Sequence, residues 1–332
     1  MRHTRPAAAL LMLLVAGAIV AWSTPADEGD RKPPIPRGPL SDDDVQRIRD
    51  EVLRRVNWDR DDEGLPPVQW DDQATEVADA FCAKALADDS VGHYTTDGLS
   101  PLDRWGVAGG MSYIRENTCT WGWSGPSADW TLERVLRVLD DFQDAMLAES
   151  PPNDGHRRTI LDPYMTHVGA GLALSRNALR YAQEFTARYV EFDQQPPTEC
   201  KRSDRATLVG HVSDPTAYRV SQIMLYFEEP PEPIDAEETK NHMTYELPEK
   251  SRMLRPMLPE GSHYINDGSR GDFRYNNTTG RFSCWLPWFE GEGWYAACVA
   301  VVDADAAEGT RPFPASWVLI RVGDKQEAPT SS

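Results

Sequence analysis

The segment Asn153–Gly171, NDGHRRTILDPYMTHVGAG, decides how the first half of the chain folds. A turn signal, Pro151-Pro152-Asn153-Asp154-Gly155, brings it in; Pro presets the backbone, Gly frees it, and Asn and Asp hydrogen-bond their own main chain. His156 heads a short helical run that Pro163 stops. His167-Val168-Gly169-Ala170-Gly171-Leu172 then reads as a strand of small residues. A histidine held between a tight turn and a strand is placed to face a cleft. The plainer alternative is a polar histidine near the start of a helix.

Outward from this segment, the preceding residues Thr131 to Ala148 give the clearest helix, with Leu132, Val135, Leu139, Phe142 and Met146 recurring at three and four residues. Glu149 follows at its C-terminal edge, where the helix dipole does not favour an acid. Such a carboxylate either serves something else or is simply solvated. Downstream, His167–Leu174 and Tyr181–Val190 read as two strands joined by Ser175-Arg176-Asn177. Upstream, Ser41-Asp42-Asp43-Asp44 caps a helix carrying Val45, Ile48, Val52 and Val56. A second helix buries Ala74, Val77, Ala78, Phe81 and Ala85. His93 lies in the loop Val91–Gly98, Pro101 opens a short helix, and Met111–Asn117 is a strand with Glu116 near its end. Helices on a small antiparallel sheet make residues 41–192 an α+β domain.

Beyond the linker 193–199 the pattern changes. Ala206–Val212, Ser221–Phe227, Phe282–Leu286, Trp294–Val302 and Ser316–Val322 read as strands, with prolines and acids between them. Short strands without a convincing helix predict an all-β sandwich, immunoglobulin-like, over 200–324, followed by a tail, 325–332. At the other end, residues 1–26 read as a secretory signal: Arg2, His3 and Arg5, then an apolar run from Ala7 to Val20, then small residues. That run falls short of the about 20 residues a membrane helix wants. A proline-rich linker, 27–40, follows.

With Lys+Arg 34 against Asp+Glu 53, the chain carries a formal charge of −19. This argues against nucleic acid or an anionic membrane as the main partner and fits an exported, self-repelling protein. The expected location is therefore secreted, or periplasmic, with no stable membrane insertion once the signal is removed. The five cysteines, Cys82, Cys119, Cys200, Cys284 and Cys298, make no CxxC pair. Export permits disulfides, and Cys82 with Cys119 is a candidate staple of the first domain. The tryptophans Trp121, Trp123 and Trp130, and Trp285, Trp288 and Trp294, suit either a ligand platform or the cover of a small core.

Four groups at element edges are candidates for one site: His93, Glu116, Glu149 and His156. Their spacing carries no local metal signature. Their order does carry a resemblance. His93 in HYTTDGLSPLDRW, then Arg115-Glu116-Asn117, a helix, and His156 in GHRRTILDPYMTHVGAGLA together resemble the CAP superfamily of cysteine-rich secretory proteins, antigen five and pathogenesis-related proteins, in its bacterial SCP-like form. Glu63–Asp71 resembles the family's early segment, and nothing after Val190 does. The resemblance implies an α-β-α sandwich whose cleft is lined by two histidines and two glutamates. It assigns these to His93, His156, Glu116 and, through Met146-Leu147-Ala148-Glu149, Glu149. Arg115 and Met146 stand where the family has glycine and tryptophan; the first is expected to crowd the site or pair with a carboxylate.

Two imidazoles and one or two carboxylates can hold a divalent metal such as zinc, run acid–base chemistry, or form a hydrogen-bonded cluster that only stabilises the cleft floor. No convincing nucleophile accompanies them. The expected function is a binding protein for a divalent metal or a small apolar or surface ligand. The alternatives are a metal-dependent, protease-like hydrolase and a cell-envelope adhesion module working through the β-domain. The partner expected is an extracellular or cell-envelope ligand.

Overall fold

The computed structural model describes residues 37–122, 130–307 and 309–323. The expected signal segment 1–26, most of the proline-rich linker, Trp123 and the tail 325–332 lie outside the described residues. Four of the five helices described in the first half start on a side-chain cap. Ser41 and Asp44 close a capping box on α1 (Asp42–Asp62), and β1 (Gln69–Trp70) leads to Asp71, which caps α2 (Asp72–Ala87). A second capping box, Ser100 with Asp103, starts α3 (Pro101–Val107). After β2 (Tyr113–Gly122), Thr131 caps α4 (Leu132–Leu147). Then come α5 (Gly155–Ile160), β3 (His167–Leu174) and β4 (Ala178–Ala187).

The sheet runs in the order β1-β3-β4-β2, so β2 is an edge strand. Its two faces separate by alternation. Val168, Ala170, Leu172 and Leu174 of β3, with Leu179, Tyr181 and Phe185 of β4, pack with Ile48, Val52 and Val56 of α1 and Val135, Leu139 and Met146 of α4. The other face meets α2, where Ala173 and Ala182 pack against Ala78, Phe81 and Cys82. This is an α-β-α layering, as the resemblance implies. Glycine makes the α2 layer possible: a Cβ on Gly169 would lie 2.4 Å from Thr75 N, and one on Gly171 2.1 Å from Ala78 C. The small-residue strand is thus the surface on which α2 lies almost backbone to backbone.

Among its described residues, the second half is all-β apart from one short helix. Its elements are β5 (Val190–Phe192), β6 (Glu199–Cys200), β7 (Thr207–Val212), β8 (Tyr218–Glu228), α6 (Ala236–Thr239), β9 (Lys250–Leu254), β10 (Phe273–Tyr275), β11 (Arg281–Trp285), β12 (Gly293–Asp303), β13 (Phe313–Pro314) and β14 (Val318–Val322). They form a sheet β10-β11-β7-β5 and a larger sheet β6-β14-β12-β8-β9, with β13 on β12. Leu208, Phe273 and Phe282 of the first share a core with Ile223, Leu225, Tyr295, Val299 and Ile320 of the second. The strand orders establish two packed sheets; they do not by themselves establish immunoglobulin-like connectivity. Residues 193–198 connect β5, which pairs antiparallel with β7, to β6, which pairs parallel with β14.

The expected disulfide is corrected. All five cysteines are free thiols. Cys82 packs on the α2 face of the sheet, whereas Cys119 packs with the core on the α4 face. A sheet between two side chains puts them beyond the reach of a disulfide, which needs Cα atoms within about 7 Å.

The two halves share an apolar seam. Leu102 and Trp105 of α3, with Ile114 of β2, pack against Ala296, Cys298 and Trp317. Trp317 N donates to Met111 O at 2.8 Å, and Tyr164 stacks on Phe313 at 3.8 Å between centroids. A Cβ on Gly106 would meet Leu319 Cβ at 2.4 Å, so α3 rests directly on β14.

Candidate functional site

The four expected site residues form two histidine–carboxylate pairs beside β2. The first is on the α2 face. The loop before α3 holds His93, whose Nδ1 lies 2.8 Å from Glu116 Oε1. Arg104 of α3 donates from Nη2 to the second oxygen, Glu116 Oε2. The same guanidinium donates from Nη1 to the His93 carbonyl at 2.7 Å and the Leu99 carbonyl at 3.1 Å, so one arginine fixes both the carboxylate and the histidine loop. Burial alone would raise the Glu116 carboxyl, but the Arg104 charge and the His93 contact hold it below the usual carboxylate range.

Glu184 of β4 faces Glu116 directly in register. It is fully buried, with its carboxyl against that of Glu116. Burial, and then the Glu116 charge, push its carboxyl well above the usual range, so it stays a neutral acid. A buried pair of acids in contact holds one proton rather than none.

The second pair approaches from the α4 face. His156 Nδ1 lies 2.5 Å from Glu149 Oε1. Glu149 Oε2 accepts from the backbone N–H of His156 at 2.9 Å and of Arg157 at 3.4 Å. The carboxylate that α4 disfavours at its C-terminal end therefore serves the first turn of α5, where free N–H groups need an acceptor. Asn117 ties this pair to β2, donating from Nδ2 to the His156 carbonyl at 3.3 Å. Arg115 does not crowd the site: it pairs with Asp162 at 2.9 Å.

Both histidines thus spend Nδ1 on a carboxylate, an arrangement that fixes the ring and leaves Nε2 as the outward nitrogen. The glutamates are orienting groups, since the carboxylate oxygens are occupied by imidazole, guanidinium and backbone donors. Among the described residues no cluster of three or more His, Cys, Asp or Glu side chains is assembled to hold a metal. The two pairs also differ in exposure. The His93 and Glu116 side chains are 9% and 0% exposed; those of His156 and Glu149 are 33% and 24% exposed.

Neither Ser100 nor the thiols offer an activated nucleophile. Ser100 Oγ donates to Asp103 at 2.6 Å in its capping box. Burial pushes Cys82 well above the usual thiol range and Cys119 up to about 12. The sequence did not single out Glu184, Arg104 or Tyr245. Glu184 had one available sign, an acid in a strand that alternation buries on both faces. Tyr245 had none, because it comes from the second half: its hydroxyl accepts from Glu116 N at 2.8 Å and its ring stands edge-on to His93 at 4.9 Å.

No curated protein matches the chain. Among solved structures, it is similar to an outer surface protein of Borrelia burgdorferi, with 17% identity, a TM-score of 0.32, and coverage of 44% of this chain and 94% of that one. It is also similar to an extracellular protein containing an SCP domain from Bacillus anthracis, with 20% identity, a TM-score of 0.32, and coverage of 46% and 45%. A third likeness is to the CAP domain of enterococcal PrgA, with 17% identity, a TM-score of 0.30, and coverage of 45% and 63%. The family model described as the cysteine-rich secretory protein family, CAP, matches residues 53–187. That span runs from within α1 to the end of β4 and holds both histidine–glutamate pairs, so residues 53–187 match a CAP domain.

Proposed function

We propose that the CAP domain is a binding domain in which each histidine–glutamate pair beside β2 offers its histidine Nε2 to a divalent cation, zinc being the best match to imidazole, or to the polar end of a small ligand. The observation that carries the reading is the use of both Nδ1 atoms on Glu116 and Glu149. A carboxylate on one ring nitrogen raises the basicity of the other, which suits it to a metal or a donor. With its glutamate spent on orientation, each pair supplies one nitrogen, and water or the ligand supplies the rest. Such a site binds more weakly than a four-ligand structural zinc centre. When bound, the cation would add positive charge to polarise a ligand oxygen. The hydrolase alternative has less support, because the thiols are desolvated and Ser100 is committed to its cap. The adhesion alternative, working through the β-domain, has no single contact in its favour.

An extracellular or envelope setting for this binding is part of the same reading. No helix among the described residues is long and apolar enough to cross a membrane, and two of the similar proteins are named as outer-surface or extracellular.

The test is thermal unfolding of the full chain with and without zinc. Saturation at about 100 times Kd should stabilise by about 2.7 kcal/mol. The shift should vanish in a His93→Ala, His156→Ala double variant. Glu149→Gln should weaken binding by about 10–100-fold while leaving the metal-free protein folded. A native chain that zinc does not stabilise, or a double variant that responds as the native chain does, overturns the reading.

A further inference from the structure

We propose that the segment Glu229–Glu249, which leaves β8 and returns to β9, is a strap that the second half lays over the His93–Glu116 pair, and that it must lift before a ligand reaches His93. This goes beyond the binding proposal and holds whatever the histidines bind.

The strap follows the histidine loop closely. Ile234 N donates to Thr96 O at 2.9 Å, and His93 N donates to His242 O at 3.4 Å. Val91 N donates to Thr239 Oγ1 at 3.4 Å. His242 tilts over Tyr94 with centroids 4.9 Å apart. Tyr245 closes the contact by accepting from Glu116 N and standing against His93. Because β2 is an edge strand, the Glu116 N–H has no strand partner on its open side. The Tyr245 hydroxyl satisfies it, as a covering segment does for an exposed sheet edge.

The loop beneath is shaped for this cover. Gly92 and Gly98 have φ of +84° and +79°. A Cβ on Gly98 would lie 2.1 Å from Glu232 O, and one on Gly92 2.9 Å from His242 O. Both glycines therefore serve a turn and leave room for the strap backbone. Pro230, Pro231, Pro233 and Pro248 stiffen the strap's two ends, so little chain entropy is lost in holding it down. The consequence is the asymmetry between the pairs: His93 is covered while His156 is open. A ligand meets His156 first and reaches His93 only when the strap opens.

Hydrogen–deuterium exchange at the imidazole C2 position, read by mass spectrometry on the full chain, reports each histidine separately and needs no ligand. His93 should exchange about tenfold slower than His156, as a cover opening at small free-energy cost requires. Tyr245→Ala should raise the His93 rate toward that of His156 and leave His156 unchanged. Tyr245→Phe, which keeps the ring, should leave His93 slow. Gly98→Asn tests the strap without touching Tyr245: asparagine tolerates the left-handed backbone, so its Cβ displaces Glu232 and should also speed His93. Each imidazole is compared with itself across variants, with circular dichroism confirming the fold. Native His93 exchanging as fast as His156, or His93 staying slow in both Tyr245→Ala and Gly98→Asn, overturns the proposal.

Discussion

Glu228, at the end of β8, is the residue whose titration most directly reaches stability. Burial, and then contact with Asp103 across the seam between the halves, push its carboxyl from 4.5 up to about 8. Asp103 has one oxygen committed to the α3 cap, and its carboxylate hydrogen-bonds with Glu228. Between pH 4.5 and about 8 the folded chain therefore keeps a proton that the unfolded chain has released. Its stability must fall as pH rises through that window and level off above it. Glu228→Gln should flatten the slope and stabilise the protein at pH 8 by about 2–3 kcal/mol, less than the full shift because the group keeps some solvent contact. Urea midpoints for both chains at pH 5, 6.5 and 8 check this; parallel curves would sink it. Single residues were legible in the sequence only where they sit in a local frame. His156 was visible through its turn and Glu149 through its awkward helix end, and the two pair as neighbours should. Arg104, Glu184 and Tyr245 reach the same site from other elements, and a linear pattern holds no record of which face or which half a side chain will meet.

At the scale of elements, periodicity and caps carried most of the information. The α4 stripe, the Ser41 cap and the Pro101 helix start fall where their spacing puts them, because each rests on contacts within a few residues. The length of β2 was less legible. It continues past Asn117 to Gly122, held by its pairing with β4 out to Ala178, a contact remote in sequence. The cysteine staple failed for a related reason: two cysteines in one domain say nothing about which face of the sheet each occupies. The short strands β9 and β10 gave no usable alternation. The VGAG run of β3 was read as a strand, and the structure adds the reason for its small residues. Gly171→Val should force α2 off the sheet and cost about 3 kcal/mol or more, since its Cβ would meet backbone rather than a movable side chain. Gly155→Ala, where nothing lies within 4 Å, should be neutral or slightly stabilising by comparison. Chemical unfolding midpoints distinguish them, and equal effects would mean that the close approach of α2 is unimportant.

For the whole molecule, the question is whether the CAP domain and the β-sheets behave as two domains on a linker or as one. The change in pattern near Gln194 suggested two, and composition does change there. Contacts nevertheless cross that boundary. The described chain is one contact unit, its seam is lined by Trp105, Ile114, Ala296 and Trp317, and the strap ties β8 and β9 to the histidine loop. Seams between loosely coupled domains are usually more polar than this. Trp317 is the residue to test, being fully buried against α3 and against Tyr226 at 5.4 Å between centroids. If the halves were independent, Trp317→Ala would lower only the melting of the β-half and leave a separate CAP transition in place. A shared core predicts instead one calorimetric transition in the native chain and one in the variant, displaced downward by about 3–5 kcal/mol of stability. A second transition surviving at the native temperature would show that the halves fold separately, and the seam would then be a contact rather than a core.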